Sequence, residues 1–189
     1  GFNPAARRID GLFAPRGIVI PCIERGQVWS LKLRRASGVP KYVHVAGSRP
    51  ALFGAHTLAR IRAAVICEGE FDAMLLHRYA GDLAGVVTLG SASGRLPETW
   101  LSDLLPVAQI LVAYDADTAG ARGAEAWQAL SARVRRAALP TELHAKDLTD
   151  FHRAGGDLRQ WLGFEIYRQF GTGPNASPNS LPTLALGLA

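Results

Sequence analysis

Short apolar runs separated by turn residues occupy the first third of the chain. The run Gly17–Cys22 precedes a Gly-containing turn and a second run, Val28–Leu33, and together they predict a β-hairpin. Alternation within the second run directs Lys32 away from the face that its apolar neighbours bury. After a proline break, Lys41–Val45 forms a third predicted strand. Residues 1–62, the basic unit, are therefore predicted to be small and rich in β-strands.

The pattern changes at Ala63, where short apolar strands begin to alternate with helical spacing. Predicted strands are 64–67, 85–89 and 110–114, with 141–144 as a candidate fourth; predicted helices are 71–79, 97–105, 119–138 and 157–167. Such alternation is typical of an α/β fold, in which a parallel sheet wound by right-handed crossovers carries helices on both faces. Residues 63–170 are named the α/β unit. The uncharged remainder, 171–189, is expected to be a flexible tail.

Composition excludes several classes of protein. With 48% hydrophobic and 20% charged residues in 189, the chain is neither disordered nor a coiled coil. No apolar run approaches the roughly 20 residues that span a bilayer, so we expect no membrane association. Two cysteines are too few for a disulfide scaffold or a four-cysteine zinc site. We expect a cytoplasmic protein that forms part of something longer.

Charge divides unevenly between the two units. Residues 1–62 hold eleven Lys and Arg against two acids, a net +9, whereas the remainder holds ten against fourteen, a net −4. A basic segment joined to an acidic one favours binding of polyanions by the first and of cations by the second. Chance clustering of solvated arginines is the alternative.

Acidic residues follow several of the predicted strands. They are Glu68 and Asp72, Asp115 and Asp117, and Asp147 and Asp150. Because the carboxyl ends of parallel strands meet at one edge, these side chains are expected to converge there. Carboxylates suit Mg²⁺ or Mn²⁺, which take one or two each and keep several waters. Any single Asp is more often a helix N-cap than a ligand, but the set as a whole favours a cation site.

A Gly/Ser-rich loop, Thr88–Gly94, lies between a predicted strand and a predicted helix. Backbone N–H groups in such a loop can bind a phosphate, although loops of this composition are also common turns.

Three motifs in order resemble a TOPRIM domain. They are Glu68-Gly69-x-x-Asp72 after an apolar strand, the Leu89-Gly90-Ser91 loop, and Tyr114-Asp-x-Asp-x-Ala-Gly120. The resemblance covers about residues 63–150, and it implies the parallel α/β fold shared by bacterial-type primases, topoisomerases and some nucleases.

Upstream residues narrow the resemblance to one class. Ile18–Pro21, Lys32–Arg35, Pro40–Tyr42 and Leu52–Gly54 are similar to the basic subdomain that precedes TOPRIM in DnaG-type primases. We therefore expect the catalytic core of a primase of bacterial, plasmid, phage or other mobile-element origin. The similarity does not extend to a Cys/His zinc-binding module or to a helicase-binding domain.

The resemblance implies particular residues. Catalytic candidates are Glu68, Asp72, Asp115 and Asp117; metal-ligand candidates are Glu68, Asp115, Asp117 and Asp147, with Mg²⁺ or Mn²⁺ as the cofactor. Candidates for nucleic-acid or nucleotide binding are Arg16, Lys32, Arg34, Arg35, Lys41, Tyr42, Gly90 and Ser91.

The implied activity is metal-dependent joining of nucleoside triphosphates into short RNA primers on a single-stranded DNA template. A replicative helicase is an implied partner through regions outside this chain, and the expected location is a nucleoid, plasmid or phage replication complex. Two alternatives stay open at this point: a TOPRIM nuclease or topoisomerase-like enzyme, and a non-catalytic nucleic-acid-binding module.

Overall fold

An antiparallel sheet forms most of the basic unit. The computed structural model describes residues 1–9, 11–59 and 61–170. Strands β1 (Phe2–Asn3), β4 (Gly17–Glu24), β5 (Gln27–Arg34) and β6 (Tyr42–His44) form one sheet in the order β1-β4-β5-β6, and β2 (Arg7–Ile9) and β3 (Leu12–Ala14) form a separate hairpin. The predicted hairpin is thus β4–β5, in which Val19 pairs with Leu33.

A parallel sheet forms the centre of the α/β unit. Its strands are β7 (Ala63–Cys67), β8 (Gly85–Thr88), β9 (Gln109–Ala113) and β10 (Val134–Arg136), in the order β10-β9-β7-β8. Every residue of β7, β8 and β9 is buried, which explains why these strands appear in the sequence as continuous apolar runs rather than alternating ones.

Helices cover both faces of this sheet. They are α1 (Glu70–Ala80), α2 (Leu101–Leu104), α3 (Thr118–Gln128), α4 (Leu148–Arg153) and α5 (Leu158–Phe170). One apolar cluster joins α1, α4 and α5 to the sheet through residues such as Leu76 and Trp161. The other joins α2 and α3 to the opposite face through Leu104 and Trp127. The predicted α/β class with helices on both faces is confirmed.

The long helix predicted over 119–138 is wrong. Helix α3 ends at Gln128, and Val134–Arg136 is the fourth strand, parallel to β9 with Val134 beside Ile110. A turn at Ser131 separates the two elements, since its carbonyl accepts the Val134 N–H at 3.0 Å and its hydroxyl accepts the Arg133 N–H at 3.3 Å. Trp127 and Val134 both belong to one apolar cluster, although they lie on different elements. The spacing of apolar residues in this helix, turn and strand is therefore the same as that of one continuous helix.

The candidate strand at 141–144 is also wrong. Thr141–Leu143 is a single 3-10 turn after Pro140, and His144 adopts a left-handed conformation with φ of 48°. A 3-10 turn also begins the helix predicted at 97–105.

The basic unit is fixed to the α/β unit by side chains from its hairpin. Trp29 packs edge-on against Trp100 with ring centroids 4.9 Å apart, and Arg25 donates to Asp103 at 2.6 Å. The buried carboxylate of Glu24 accepts the Gly54 N–H at 2.8 Å within the basic unit, and the adjacent Phe53 pairs with Thr88 of β8. These contacts hold β4 and β5 against the sheet that carries the acidic residues.

Within the part of the chain that the structure describes, none of the helices combines the length and apolar character needed to cross a membrane.

Candidate active site

Glu68 and Asp115 lie side by side at the carboxyl edge of the parallel sheet. Their strands, β7 and β9, are hydrogen-bonded neighbours, with Cys67 beside Ala113. Both acids follow those strands closely, and the Asp115 backbone N–H donates to Glu68 Oε2 at 3.3 Å. The pairing of β7 with β9 therefore brings these two residues together, as the sequence predicted.

Asp72 joins this edge from the first turn of α1. Its Oδ1 accepts two hydrogen bonds from Thr149, one from the backbone N–H at 3.1 Å and one from the hydroxyl at 2.7 Å. Gly69, not Asp72, is the N-cap residue of α1. Asp72 therefore ties the start of α1 to the start of α4.

Asp117 and Asp147 are helix N-caps as well as members of the acidic edge. Asp117 Oδ1 accepts the Gly120 N–H at 2.7 Å, and Asp147 Oδ1 accepts the Asp150 N–H at 2.7 Å. Capping engages one oxygen of each carboxylate, so the second oxygen of each is left for another partner. Asp117 and Asp147 can therefore cap a helix and also contribute to a cation site.

The segment before α4 reaches the edge by a backbone contact. The Ala116 N–H donates to the Lys146 carbonyl at 2.7 Å, which brings Asp147 beside the β9 loop. The Lys146 ammonium lies 3.9 Å from Asp147 and 3.7 Å from Asp150. Asp147 was expected here for a different reason, as the residue after a fourth strand that the structure does not form.

Burial, reinforced by repulsion from neighbouring carboxylates, raises the pKa of Glu68, Asp72 and Asp115. Burial, together with the charges of Glu68, Asp72, Asp147 and Asp117, raises the pKa of Asp115 to about 7. Burial also raises the pKa of Glu68 and of Asp72, with neighbouring carboxylates adding to the effect. A site in which anions disfavour one another's charge is a site that a cation stabilises.

The donors at this edge fit a hard divalent cation. Among residues 1–9, 11–59 and 61–170, no three carboxylate, imidazole or thiol groups already stand together in the arrangement of a metal site. Mg²⁺ needs only one or two protein carboxylates, because it keeps several waters and takes the rest of its ligands from substrate phosphates. The oxygen donors of Glu68, Asp115, Asp117 and Asp147 meet that requirement.

Lys32 of the basic unit is buried and paired with an acid that sequence reasoning missed. Alternation predicted that Lys32 points away from the face that its apolar neighbours bury. The α/β unit covers the face on which Lys32 lies, so the side chains of Lys32 and Glu70 are each only 9% exposed. The Lys32 ammonium donates to Glu70 Oε1 and, at 3.3 Å, to the Gly90 carbonyl. The sequence signal for Glu70 was weak, since an acid in a first helical turn usually faces solvent.

Arg34 makes a second contact between β5 and the same helical turn. It lies two residues from Lys32 on β5, and its guanidinium is centred 5.0 Å from the ring centroid of Phe71. Strand β5 therefore holds the first turn of α1, between Glu68 and Asp72, from the side of the basic unit.

Gly90 serves packing as well as backbone conformation. Its φ is 77°, and a Cβ at this position would collide with Lys32 Nζ and Glu70 Oε1. Its N–H donates to the Thr88 hydroxyl at 2.8 Å, and that hydroxyl donates to the Glu68 carbonyl at 3.0 Å. Ser91, in contrast, is exposed and lines a groove of about 830 Å³ that also includes Glu68.

The remaining predicted binding residues occupy two separate places. Tyr42 on β6 lies near Lys32 and Lys41, whose ammonium groups are 5.2 and 6.0 Å from its ring centroid. Arg35, next along from Arg34, lies close to the turn before Tyr42 and donates to the Pro40 carbonyl at 3.5 Å. Arg16 is not part of this group, since it precedes β4 beside β1, across the sheet from β6.

A cavity of about 400 Å³ separates the two units next to the Lys32–Glu70 pair. Its wall includes Lys32, His44 and Arg49 from the basic unit and Thr88 and Arg95 from the α/β unit. Cationic side chains from both units therefore line this cavity beside Glu70.

Comparison with known proteins agrees with this architecture. Residues 65–152 match the family model described as Toprim-like. The primase fragment of the bacteriophage T7 primase-helicase protein aligns with 88% of this chain at 26% identity and a TM-score of 0.63. The chain covers 65% of that fragment. Among curated proteins, the comparison found no match.

Two further structures show the same fold. The primase domains of bacteriophage T7 gp4, in a complex with the phage lagging-strand DNA polymerase, an RNA/DNA hybrid and dTTP, are 26% identical with a TM-score of 0.58. The match covers 89% of this chain and 83% of that one. The RNA polymerase domain of Mycobacterium tuberculosis primase DnaG, crystallised with double-stranded DNA, is 20% identical with a TM-score of 0.62, and here the coverages are 84% and 57%.

The fold and the acidic edge point to one class of protein, since residues 65–152 match a Toprim-like family model. Together with the antiparallel sheet that precedes it, this region is similar to the TOPRIM core of primases, which supports the resemblance that the sequence motifs indicated. The chain spans about two thirds of the T7 fragment and a little over half of the mycobacterial domain that it matches.

Proposed function

We propose that this chain is the catalytic core of a DNA primase, which makes short RNA primers on single-stranded DNA by metal-dependent nucleotidyl transfer. The observation that supports the proposal most strongly is the pairing of Glu68 with Asp115 at the carboxyl edge of the parallel sheet, beside the turn of α1 that Lys32 of the basic unit contacts. Primases and nucleases share the acidic edge, but the basic unit and its similarity to the T7 primase fragment favour synthesis over cleavage.

Glu68, Asp115, Asp117 and Asp147 are the residues proposed to hold Mg²⁺ or Mn²⁺. A bound divalent ion of this kind neutralises triphosphate charge and makes the attacking 3′-hydroxyl more acidic. Asp72 positions the site by joining α1 to α4 through Thr149. The free oxygen of Glu68 is the candidate proton acceptor, since its Oε2 is already engaged by the Asp115 N–H.

The basic unit is proposed to bind the template and the incoming triphosphate. Lys41 and Tyr42 present a cation and an aromatic ring together near the acidic edge, a combination that suits a phosphate and a base. Lys32 and Arg34 already contact the first turn of α1, so their proposed contribution is to hold that turn against the basic unit. Gly90 and Ser91 are proposed to contact the nucleotide from the loop after β8, where Ser91 is exposed.

Single-stranded DNA and nucleoside triphosphates are the proposed ligands. A replicative helicase is a proposed partner through regions outside this chain. The proposed location is the cytoplasm, at a nucleoid, plasmid or phage replication complex.

The test is a primer-synthesis assay on single-stranded DNA with labelled ribonucleotides and Mg²⁺ or Mn²⁺. Asp115→Ala and Glu68→Ala should abolish product while circular dichroism shows that the fold is retained. Glu125→Ala is the matched control, because it removes an exposed acid of α3 away from the edge. Full activity in both active-site variants would contradict the assignment.

The same reactions separate the alternatives left open by the sequence. Labelling the template instead of the nucleotides shows cleavage, which is expected of a nuclease and not of a primase. A module without catalytic activity would neither synthesise primers nor cleave the template, and its DNA binding would survive both alanine substitutions.

A further inference from the structure

Two exposed phenylalanines in the basic unit each lie beside an arginine guanidinium. Phe2 is 60% exposed and Phe13 is 46% exposed. The guanidinium of Arg16 is centred 6.0 Å from the Phe2 ring centroid, and that of Arg8 is 5.5 Å from the Phe13 centroid. Within about 6 Å, a cation over an aromatic face is attracted to it. These four residues are named the Arg–Phe patch.

Backbone pairing holds the two halves of the patch near one another. Arg8 and Phe13 are directly opposite each other in the β2–β3 hairpin, so they share one face of it. Phe2 pairs with Ile18 at the start of β4, two residues after Arg16. The Asn3 side chain then joins β1 to the end of the hairpin.

Asn3 makes that connection with both of its amide hydrogens. Its Nδ2 donates to the Ala14 carbonyl at 3.1 Å and to the Pro15 carbonyl at 2.9 Å. Because Ala14 follows Phe13 and Pro15 precedes Arg16, the two hydrogen bonds fix the segment that connects the two Arg–Phe pairs.

Phe2 of the patch and Tyr42 lie at opposite margins of the antiparallel sheet. The sheet order β1-β4-β5-β6 puts β1 at one margin and β6, which carries Tyr42, at the other. Tyr42 neighbours Lys32, the residue that contacts α1. A strand bound at the patch would therefore be held at the far margin of the basic unit from the proposed site of chemistry.

We propose that the Arg–Phe patch is a second binding site for single-stranded DNA, in which unpaired bases stack on the rings and guanidinium planes. Exposed aromatic faces next to planar cations match an unpaired strand, which offers both base faces and phosphates. A duplex hides its base faces and would use only the charges. The proposal rests on the proposed function in taking the strand to be template DNA, but binding at the patch needs neither a metal nor catalysis.

The test measures binding of the full chain to fluorescein-labelled oligo(dT) of about 12 nucleotides by anisotropy, in EDTA. In the double variant Phe2→Leu/Phe13→Leu, affinity should fall about tenfold or more, since base–aromatic stacking contributes about 1–3 kcal/mol per base. Phe2→Tyr/Phe13→Tyr keeps both aromatic faces and should bind like the wild type. Leu105→Ala, which removes a 65% exposed apolar side chain of the α/β unit, is the control.

Three outcomes would overturn the proposal: wild-type affinity in the leucine variant, equal affinity of the wild type for duplex DNA, or no binding of oligo(dT) by the wild type. Thermal melting separates stacking from misfolding, because both rings are largely exposed and their replacement should leave the melting temperature within about 2 °C. Oligo(dT) binding that is lost in the leucine variant, with no primer synthesis by the wild type, would contradict the proposed function while supporting the patch.

Discussion

Lys32 and Glu70 form a buried ion pair that joins the antiparallel sheet to the first turn of α1. That turn lies between Glu68 and Asp72, so the pair connects the basic unit to the acidic edge by one side-chain contact. Gly90 completes the arrangement by giving its carbonyl to the same ammonium. The position of the acidic turn therefore depends on residues of the basic unit.

Breaking this pair should destabilise the protein strongly. Lys32→Met or Glu70→Gln alone leaves one charged side chain buried without its partner, which costs about 3–5 kcal/mol. The double variant Lys32→Met/Glu70→Leu should recover most of that loss, since an apolar pair needs no compensation. Urea unfolding of the three variants measures the effect.

Primer synthesis by the double variant distinguishes a positioning role from direct binding. If Lys32 acts through Glu70, the refolded double variant should retain synthesis with a KM for nucleotides close to that of the wild type. A large rise in KM with restored stability would show instead that the Lys32 ammonium contacts substrate.

Replacing Gly90 by Ala should cost about 1–3 kcal/mol. The φ of 77° disfavours any residue with a Cβ, and that Cβ would collide with Lys32 Nζ and Glu70 Oε1. Gly163→Ala is the matched control, because a Cβ there meets no atom within 4 Å and the residue lies in helix α5. Chemical denaturation should show a loss for the first and a gain of about 0.5–1 kcal/mol for the second; equal effects would be inconsistent with this packing.

The raised pKa of Asp115 makes the metal-free protein sensitive to pH. Folding moves this pKa from 3.8 to about 7, so the folded state binds a proton more tightly than the unfolded state. Its contribution to stability is therefore lost progressively as pH rises from about 4 to about 7. Asp115→Asn removes the penalty, and in EDTA at pH 8 it should melt about 2 °C or more above the wild type, after allowance for solvent screening of a partly exposed carboxyl.

Repeating the melting measurement at pH 5 provides the control, because the difference between Asp115→Asn and the wild type should become smaller there. A difference that does not change with pH would show that Asp115 is not the responsible group.

The pH profile of primer synthesis should depend on metal concentration. A protonated Asp115 cannot bind a cation, so synthesis should rise with pH up to about 7. Raising Mg²⁺ from limiting to saturating should move this rise to lower pH, since metal and proton compete for the same oxygens. A profile that stays in place at all Mg²⁺ concentrations would argue against this competition.

The acidic edge could be predicted because parallel strands end at a common edge regardless of the details of packing. Recognising the buried strands that precede Glu68 and Asp115 was enough to place both residues at one edge of the sheet. The structure joins them by a hydrogen bond. The fourth strand could not be predicted, because Trp127 and Val134 contribute to one apolar cluster from two different elements. Their spacing is compatible with one continuous helix.

Burial of Lys32 escaped prediction for a related reason. Alternation along β5 shows which residues share a face, but not that a second unit covers the polar face. Only the tertiary structure brings Glu70 to Lys32 across 38 positions of sequence. Asp147 was placed at the edge correctly, yet a backbone hydrogen bond from Ala116 to Lys146 brings it there, not the end of a strand.

The most direct test of the proposed activity is the stoichiometry of ribonucleotide incorporation and pyrophosphate release on single-stranded DNA in Mg²⁺. The wild type should release one pyrophosphate for each nucleotide joined, and both signals should vanish in EDTA and in Asp115→Asn. Undiminished incorporation by Asp115→Asn, or its persistence in EDTA, would contradict nucleotidyl transfer at this acidic edge.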